Sequence, residues 1–379
     1  MNTIPFNKPF IAGKELFYIA QAVIENGHTA GDGPFTKKCN AWLEEHLGCR
    51  KALLTHSCTA ALEMAAILAD IQPGDEIIMP SFTFVSTANA FVLRGGVPVF
   101  VDIRPDTLNI DEGLIEAAVT PKTRAICPVH YAGVPCRMDA IMAIAQRNEL
   151  LVIEDAAQAL LSRQKERYMG TVGQMGCLSF HETKNIISGE GGALLINDPQ
   201  LVGRAEIIRE KGTNRSQFFR GQVDKYTWVD MGSSYLPSDI IAAFLFAQME
   251  NADQIVARRS RIFDLYLEGL RPLAEKGLVQ LPCVLEDGQS NGHIFYLLTG
   301  SLEERTKLTA HLRKQGILAV FHYVPLHSSP AGIRYGRVSG SMKRTERAGD
   351  CLLRLPLYYE MTDREASSVI NAIQEYYRS

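Results

Sequence analysis

The sequence predicts an α/β protein in which a mostly parallel sheet carries helices on both faces. Two observations predict this class. Between about residues 50 and 200, short strand-like segments alternate with helical patterns, and these segments are almost continuously apolar. The predicted strands are residues 51–55, 77–80, 97–103, 125–129, 151–154, 177–180 and 193–196. The predicted helices are residues 60–68, 86–94, 111–118 and 138–148.

The rest of the chain predicts a second, smaller unit. A long polar loop covers residues 211–228, and a pattern rich in helix formers runs from about residue 238 past residue 257. Beyond it, a helix at residues 302–315 and a short strand at residues 293–298 indicate further α/β structure. We therefore expect a large domain at residues 1–250 and a small C-terminal α/β domain at residues 251–379.

Composition and charge exclude several classes of protein. With 46% hydrophobic and 21% charged residues, the 379-residue chain is typical of a globular protein. A formal net charge of −3, with no basic tail and no helix-turn-helix pattern, argues against nucleic-acid binding. The eight cysteines include no C-x-x-C pair, so neither a zinc site nor an iron–sulfur cluster is indicated.

The apolar runs and the first residues indicate where the protein works. No apolar run is long enough to span a bilayer, and the start of the chain has no secretory apolar segment. We therefore expect no membrane insertion and a cytoplasmic location, in which the thiols stay reduced.

Polar and aromatic residues cluster at one end of the predicted strands. Ser57, Phe84, His130, Asp155 and Ser179 lie at or beyond the carboxyl ends of different strands. In a parallel sheet these ends share one edge, and ligands bind there. We therefore expect these separate segments to converge on one site.

The first of these segments predicts a phosphate site. A buried strand at residues 51–55, a turn and a helix at residues 60–68 form a junction that presents free N–H groups to an anion. Cys58 and Thr59 are placed to hold a phosphate, and the hydroxyl of Ser179 can add to it. Ser57 is in either case expected to cap the helix, and capping alone is the alternative interpretation.

Lys184 and Asp155 form a pair that pyridoxal phosphate (PLP) chemistry requires. Lys184 lies just past an apolar strand and can form the Schiff base, whereas Asp155 ends an earlier strand and can keep the pyridine nitrogen protonated. A protonated ring accepts negative charge from the substrate carbon far better than a neutral one. The alternative is a solvated lysine and an aspartate that caps a helix.

Neighbouring aromatic and glycine residues refine this interpretation. One of Phe82 and Phe84 can stack on the ring, and the other then belongs to the core. The glycines at residues 189–192 precede an apolar run instead of opening a helix after a strand. They therefore indicate a turn or a close backbone approach, and not a dinucleotide fingerprint.

Several motifs follow one another in a characteristic order. They are Ser57-Cys58-Thr59, Pro80-Ser81-Phe82-Thr83-Phe84, Glu154-Asp155-Ala156-Ala157-Gln158, Ser179-Phe180-His181-Glu182-Thr183-Lys184-Asn185 and Gly189-Glu190-Gly191-Gly192. In this combination the chain resembles the nucleotide-sugar aminotransferases of the DegT/StrS type over nearly its whole length. The resemblance implies the type I fold of PLP-dependent transferases, like that of aspartate aminotransferase, and a homodimer with active sites at the subunit interface.

The resemblance also implies roles for individual residues. It implies PLP on Lys184, Asp155 at the pyridine nitrogen, Gln158 near the ring hydroxyl and Phe84 stacked on the ring. The implied phosphate ligands are Cys58, Thr59 and Ser179.

Two positions depart from the common pattern of that family. Cys58 stands where the family often has glycine, which matters little if the backbone N–H binds the phosphate. The family often has Gly-x-Asn-Tyr-Arg, whose asparagine reaches the partner subunit's phosphate, where this chain has Gly232-Ser233-Ser234-Tyr235-Leu236. Ser234 can donate the equivalent bond with a shorter reach.

A cation-rich segment at residues 211–225 indicates the substrate. Its positive charges, with Phe and Tyr between them, suit a diphosphate and a base, and the alternative is a solvated loop. With residues 321–327 it resembles family members that aminate a dTDP-4-keto-6-deoxy sugar, so the implied substrates are a dTDP-keto-sugar and glutamate. The expected substrate-binding residues are Lys211, Arg215, Arg220, Lys225, Tyr323 and His327.

Several alternatives remain open from the sequence. Residue types do not distinguish the galacto from the gluco product, or amination at C4 from amination at C3. A PLP-dependent sugar dehydratase shares the fold, but such enzymes commonly replace the lysine. A non-catalytic regulator with this fold is the alternative from another class, and the retention of both Lys184 and Asp155 argues against it.

Overall fold

The computed structural model describes residues 3–283 and 285–378. The helices are α1 Glu15–Ala20, α2 Pro34–Leu47, α3 Cys58–Leu68, α4 Val85–Val92, α5 Ile115–Ala118, α6 Met138–Arg147, α7 Val202–Arg209, α8 Arg215–Phe219, α9 Asp239–Met249, α10 Ala252–Glu275, α11 Leu302–Lys314, α12 Pro330–Tyr335, α13 Lys343–Cys351 and α14 Asp363–Tyr376. The strands are β1 Lys51–Thr55, β2 Glu76–Pro80, β3 Val97–Val101, β4 Thr123–Ile126, β5 Leu151–Asp155, β6 Arg163–Gln164, β7 Arg167–Tyr168, β8 Met175–Ser179, β9 Gly192–Ile196, β10 Gly288–Gln289, β11 Tyr296–Leu298, β12 Arg337–Val338 and β13 Leu352–Arg354.

The main sheet has eight strands in the order β1-β9-β8-β5-β4-β2-β3-β12. Strand β9 pairs antiparallel with both of its neighbours, and the other pairs are parallel. The predicted mostly parallel sheet is therefore confirmed. The carboxyl ends of β1, β2, β4, β5 and β8 consequently lie along one edge.

Successive strand residues supply two different cores, because side chains alternate between the faces of a sheet. Leu53 and Ile77 pack on one face with α3, α4 and α7. Leu54 and Ile78 pack on the other face with α2, α6 and α9. Burial on both faces explains why the strands are almost continuously apolar.

In a third apolar cluster, residues of α10, α11 and α14 pack with residues of β11 and β13. The helical pattern predicted from about residue 238 is divided into α9 and α10, which are separated by Glu250 and Asn251. The cluster also contains Ile4, whose N–H donates to Gly316 O at 2.9 Å. The division at residue 250 therefore stays a prediction, since a residue from the start of the chain packs in the C-terminal core.

Three predicted strands and one predicted helix differ from expectation. The strand predicted at residues 125–129 spans Thr123–Ile126. The strand predicted at residues 293–298 begins at Tyr296, and the carbonyl oxygens of Gly292 and His293 accept hydrogen bonds from Arg259. The strand predicted at residues 97–103 ends at Val101, and Asp102 instead accepts hydrogen bonds from the first turn of α13. The helix predicted at residues 111–118 is a 3₁₀ turn followed by the short α5.

The described part of the chain shows neither a helix that could cross a bilayer nor a cluster of metal-binding side chains. Within residues 3–283 and 285–378, none of the helices combines the length and the apolar character that a bilayer crossing requires. Over the same ranges, no group of His, Cys, Asp and Glu side chains is arranged to hold a metal ion.

Candidate active site

A cavity of about 550 Å³ lies at the carboxyl ends of the central strands. Its wall combines residues that follow β1, β2, β5 and β8 with residues from the C-terminal part of the chain. The sequence-predicted residues that line it are Cys58, Thr59, Phe84, Asp155, Gln158, Ser179, Lys184 and Tyr323. The expected convergence at one edge of the sheet is therefore confirmed for Ser57, Phe84, Asp155 and Ser179, whereas His130 does not line the cavity.

The N-terminus of α3 forms one wall of this cavity. Ser57 caps the helix, since its Oγ accepts from the N–H of Ala60 at 3.1 Å. The first N–H groups of a helix have no partner within the helix, so those of Cys58 and Thr59 are available to an anion. A Cβ built on Gly192 would lie 2.4 Å from the Cys58 nitrogen, so only glycine allows β9 to approach this turn. The close backbone approach predicted for the glycine-rich segment is confirmed.

Lys184 occupies the turn after β8. Its backbone N–H donates to His181 O at 2.9 Å, and its side chain lines the cavity. Burial lowers the pKa of the Lys184 amine, with a further contribution from Arg354, whereas Cys58 and Asp155 act in the opposite direction. A lysine with a lowered pKa is more often neutral, and only the neutral amine is a nucleophile.

Asp155 is held rigidly at the end of β5. Its Oδ2 accepts from Thr87 Oγ1 at 2.6 Å, and its Oδ1 accepts from the N–H of Ala157 at 3.1 Å. Thr87 is itself held by Thr83, with 2.8 Å between the two hydroxyl oxygens. The carboxylate is almost fully buried and is oriented by both of its oxygens.

His130 supports Asp155 from outside the cavity. The N–H of Cys136 donates to His130 Nδ1 at 3.0 Å, so the ring hydrogen lies on Nε2 and points to Glu154 at 2.9 Å. The His130 backbone N–H donates to Asp155 O at 3.2 Å. Both ring nitrogens of this fully buried histidine are therefore satisfied, and it positions the strand ends.

An aromatic group forms another wall. Gln158 Nε2 donates to the hydroxyl of Tyr323 at 3.1 Å, while its Oε1 accepts from the N–H of Ala132 at 2.7 Å. Phe84 is 56% exposed and lines the cavity, with its ring centroid 6.4 Å from that of Tyr323. Phe82 is 1% exposed and belongs to the core. The structure thus separates the two phenylalanines that the sequence left equivalent.

The remaining predicted residues lie elsewhere. In the cation-rich segment Arg215 and Arg220 pair with Glu210 and Glu206 at 3.4 and 2.8 Å. His327 is directed to Ser81, with 2.8 Å between His327 Nδ1 and the serine hydroxyl oxygen. The predicted residues that do not line the cavity of this chain are Lys211, Arg215, Arg220, Lys225, Ser234 and His327.

Sequence reasoning missed four residues at the site. Thr87 orients Asp155, and His293, His322 and Arg354 line the cavity from the C-terminal part of the chain. Arg354 had a usable signal, because it interrupts an otherwise apolar run at residues 351–357. His322 lies within residues 321–327, which the sequence had already singled out, whereas His293 had no signal because its approach depends on how the C-terminal part packs.

A sequence model of the DegT/DnrJ/EryC1/StrS aminotransferase family matches residues 11–374. The chain belongs to this family. The aminotransferase is 33% identical to the spore coat polysaccharide biosynthesis protein SpsC of Bacillus subtilis, over 98% of this chain and 96% of that protein.

Solved structures agree with the family. The aminotransferase TlmJ from Streptoalloteichus hindustanus superimposes with a TM-score of 0.90 at 29% identity, covering 100% of this chain and 99% of that one. The PLP form of the putative sugar aminotransferase Spr1654 from Streptococcus pneumoniae superimposes with a TM-score of 0.90 at 25% identity, over 100% and 99% of the two chains. The protein is therefore a PLP-dependent sugar aminotransferase with the predicted type I fold.

The residues of the cavity fit PLP. The Gly192 contact leaves the first turn of α3 open to a phosphate, and Lys184 and the buried carboxylate of Asp155 line the same space. Phe84 presents a largely exposed aromatic ring to it. The chemistry of these groups is that which a phosphate, an aldehyde and a pyridine nitrogen require.

Proposed function

We propose that the protein transfers an amino group from L-glutamate to C4 of dTDP-4-keto-6-deoxy-D-glucose, giving dTDP-4-amino-4,6-dideoxy-D-galactose and 2-oxoglutarate. The observation that carries transamination is the presence of Lys184, with its lowered pKa, and Asp155 in one cavity. The choice of sugar rests on the resemblance of residues 210–228 and 321–327 to the transaminase that supplies this amino sugar for enterobacterial common antigen.

Different residues of the cavity would hold different parts of the cofactor. The backbone N–H groups of Cys58 and Thr59 would hold the phosphate, together with the hydroxyl of Ser179. Asp155 would keep the pyridine nitrogen protonated, and Phe84 would stack on the ring. The amide of Gln158 would serve the ring hydroxyl. Bound PLP then supplies an electron sink for charge that develops on the carbon bearing the amine.

Lys184 performs two steps with the same atom. With PLP bound, Nζ would hold its aldehyde carbon as an imine, and the amine of glutamate would displace it. The freed Nζ would then take the proton from the α-carbon of glutamate, and a water molecule would release 2-oxoglutarate while the amino group stays behind. With the keto-sugar as acceptor, Nζ would move the proton in the reverse direction, so that the amine is placed on C4 and the keto oxygen leaves as water. The lowered pKa of Lys184 suits both directions, since a less basic amine is more often free to accept a proton and releases it more readily.

A homodimer completes the site in this proposal. The exposed apolar side chains include Leu16 and Phe17 on α1, at 79% and 63% exposure, and Trp228 at 79%. Such surfaces favour association with another protein surface. Ser234 is exposed and forms an isolated antiparallel β-bridge with Glu210. We propose that its side chain reaches the phosphate in the partner subunit's site.

The cation-rich segment would then bind the diphosphate of the sugar nucleotide. The guanidinium groups of Arg215 and Arg220 are partly exposed, although their partners Glu210 and Glu206 are largely buried, and their free donors can bind a diphosphate. Lys211 and Lys225 are exposed and add positive charge. Because this segment does not line the cavity of its own chain, we propose that it acts at the partner's cavity. Tyr323 contacts the sugar from the cavity wall, and His327 approaches it from beside Ser81.

The test follows the visible absorbance of the PLP-loaded protein. We expect the band to fade when glutamate is added and to return when dTDP-4-keto-6-deoxyglucose follows. The proton couplings of the isolated product then distinguish an axial amine at C4, which defines the galacto sugar, from the gluco epimer and from a 3-amino sugar. A band that responds to neither compound contradicts the proposed substrates, and an absent band contradicts the role of Lys184.

A further inference from the structure

A second, smaller cavity adjoins the one that contains Lys184. It measures about 90 Å³, and the partly exposed residues Phe6 and Asn7 form one of its walls. The residues that line both cavities are Thr183, His293, Ile294 and Arg354. The smaller cavity therefore lies between the active-site wall and the start of the chain.

The size and the lining of the smaller cavity suit water. Pockets for organic ligands usually measure about 300–1,000 Å³, whereas about 10–15 Å³ is enough for one water molecule. A buried water also needs about two to four polar partners. The polar residues that line this cavity are Asn7, Thr183, Arg259, His293 and Arg354. Several water molecules therefore fit, whereas the amino donor and the sugar do not.

The shared wall carries a hydrogen-bond acceptor on His293. This residue is 5% exposed, and its Nδ1 lies 2.9 Å from Asn185 Oδ1. The orientation of the Asn185 amide is fixed, because its Nδ2 donates to Asn291 O at 2.9 Å. Nδ1 of His293 must therefore donate, and Nε2 carries the lone pair. Within residues 3–283 and 285–378, Nε2 has no hydrogen-bond partner.

The surroundings of His293 hold its ring in this state. Its backbone N–H donates to Asn291 Oδ1 at 3.1 Å, and its carbonyl oxygen accepts from Arg259 Nη2 at 2.8 Å. Burial lowers the pKa of the ring, and the positive charges of Lys184, Arg259 and Arg354 lower it further. The imidazole therefore stays neutral, so Nε2 remains an acceptor at neutral pH.

Two other histidines near the site differ from His293. Both ring nitrogens of His130 are occupied, by Glu154 and by a backbone N–H. Nδ1 of His322 lies 3.0 Å from the hydroxyl oxygen of Tyr131, and either atom can donate. His293 thus combines a fixed tautomer with an unoccupied acceptor, and its ring lies on the wall of both cavities.

We propose that the smaller cavity supplies and removes the water of the reaction, and that Nε2 of His293 orients this water by accepting a hydrogen bond from it. This inference rests on the proposed function. Release of the 2-oxo acid consumes one water molecule: the carbon–nitrogen bond breaks, the water oxygen becomes the oxo oxygen, and its two hydrogens pass to the amino nitrogen that stays behind. Condensation with the keto-sugar is the reverse process, so the keto oxygen leaves as water. The sugar nucleotide then occupies the larger cavity, and the smaller one offers a separate route.

The first test uses the PLP-free protein and needs no substrate. In the protein labelled with ¹⁵N-histidine, NMR at about pH 5.5 should show a neutral ring with its hydrogen on Nδ1, although a free histidine is mostly charged there. This signal should be missing from His293→Gln. A crystal structure should show a water oxygen at hydrogen-bond distance from Nε2. A charged ring, a hydrogen on Nε2 or the lack of a water at that atom overturns the proposal.

The second test separates the release of the 2-oxo acid from the attack of glutamate. Loss of visible absorbance in the PLP-loaded protein follows the attack, and a coupled dehydrogenase assay follows free 2-oxoglutarate. His293→Leu should slow release about tenfold and leave the attack within about threefold, because one hydrogen bond to the water is lost. His293→Gln, whose amide oxygen can replace Nε2, should restore release to within about threefold. His46→Leu, at an exposed position on α2, is the control. Equal losses in both steps, or unaltered release in His293→Leu, overturns the proposal.

A third variant fills the smaller cavity and leaves His293 in place. Leu355 lines the smaller cavity and not the larger one, so Leu355→Phe should slow release about tenfold without changing the NMR signal of His293. Because it fills a cavity, this change should not lower Tm, whereas Leu353→Phe, at a buried residue that lines neither cavity, should lower it. Unaltered release in a folded Leu355→Phe protein contradicts the proposal. All of these measurements omit the sugar, so a wrong sugar assignment leaves them intact.

Discussion

The cavity around Lys184 and the cation-rich segment at residues 211–225 are held in different ways. The cavity is built from the ends of separate strands, and Asp155 is fixed there by two hydrogen bonds. The cation-rich segment lies at the surface, where Arg215 and Arg220 pair with acidic neighbours at partly exposed sites. The comparison teaches that the groups proposed for transamination are preorganised within one chain, whereas those proposed for the sugar nucleotide do not line the cavity of that chain.

The largest effect is expected at the centre of the cavity. Lys184→Arg should lower the rate of the glutamate half-reaction by at least about 10⁴-fold, because a guanidinium neither attaches the cofactor nor relays a proton near neutral pH. Single-turnover absorbance measures the rate, and circular dichroism checks the fold. Lys165→Arg, at an exposed lysine paired with Asp139, is the control and should behave normally. Substantial turnover in Lys184→Arg would falsify the central assignment.

The next effect tests the preorganisation of the carboxylate. Asp155→Asn should slow the glutamate half-reaction by about 10²–10³-fold, since an amide does not hold the pyridine nitrogen protonated. Thr87→Val removes the hydroxyl that donates to Asp155, and it should lower the rate of the glutamate half-reaction by about tenfold. If Thr87→Val matches Asp155→Asn in its loss, the threonine acts directly on the reacting groups and the comparison needs revision.

The cation-rich segment should give a smaller and more selective effect. Arg215→Gln combined with Arg220→Gln should raise the KM for the sugar nucleotide about tenfold, with a smaller difference at high salt, because exposed charges are screened. The glutamate half-reaction should not change. Arg313→Gln, at an exposed position on α11, is the control. A comparable loss in the glutamate half-reaction would place the segment in the transamination chemistry itself.

The smallest effect is expected at Cys58. Burial raises the pKa of its thiol, so the group stays protonated, and the backbone N–H is the proposed phosphate ligand. Cys58→Ser should change the dissociation constant of PLP by less than about threefold. Fluorescence titration of the PLP-free protein measures this constant. A loss of more than about tenfold would show that the thiol itself takes part in binding, which contradicts the backbone cradle.

Much of the cavity was predictable because its residues follow strands that the sequence marks clearly. Asp155, Ser179 and Lys184 lie at or just beyond the ends of apolar runs, and parallel pairing brings such ends together. The short β11 was not predictable, since it pairs with β13, which lies far along the chain. The same limit applies to the choice between Phe82 and Phe84, because only tertiary packing decides which of them meets Tyr131 in the core.

The sequence by itself determined the sheet, the order of the motifs and the pairing of a lysine with a carboxylate, because local apolar patterns and strand ends carry that information. Only the tertiary structure brought Arg354, His293 and His322 to the cavity, since they come from segments far along the chain. Contacts between distant segments depend on how separate cores pack, and no local pattern records that packing. Arg354 lines the cavity beside Lys184 only once these segments have packed.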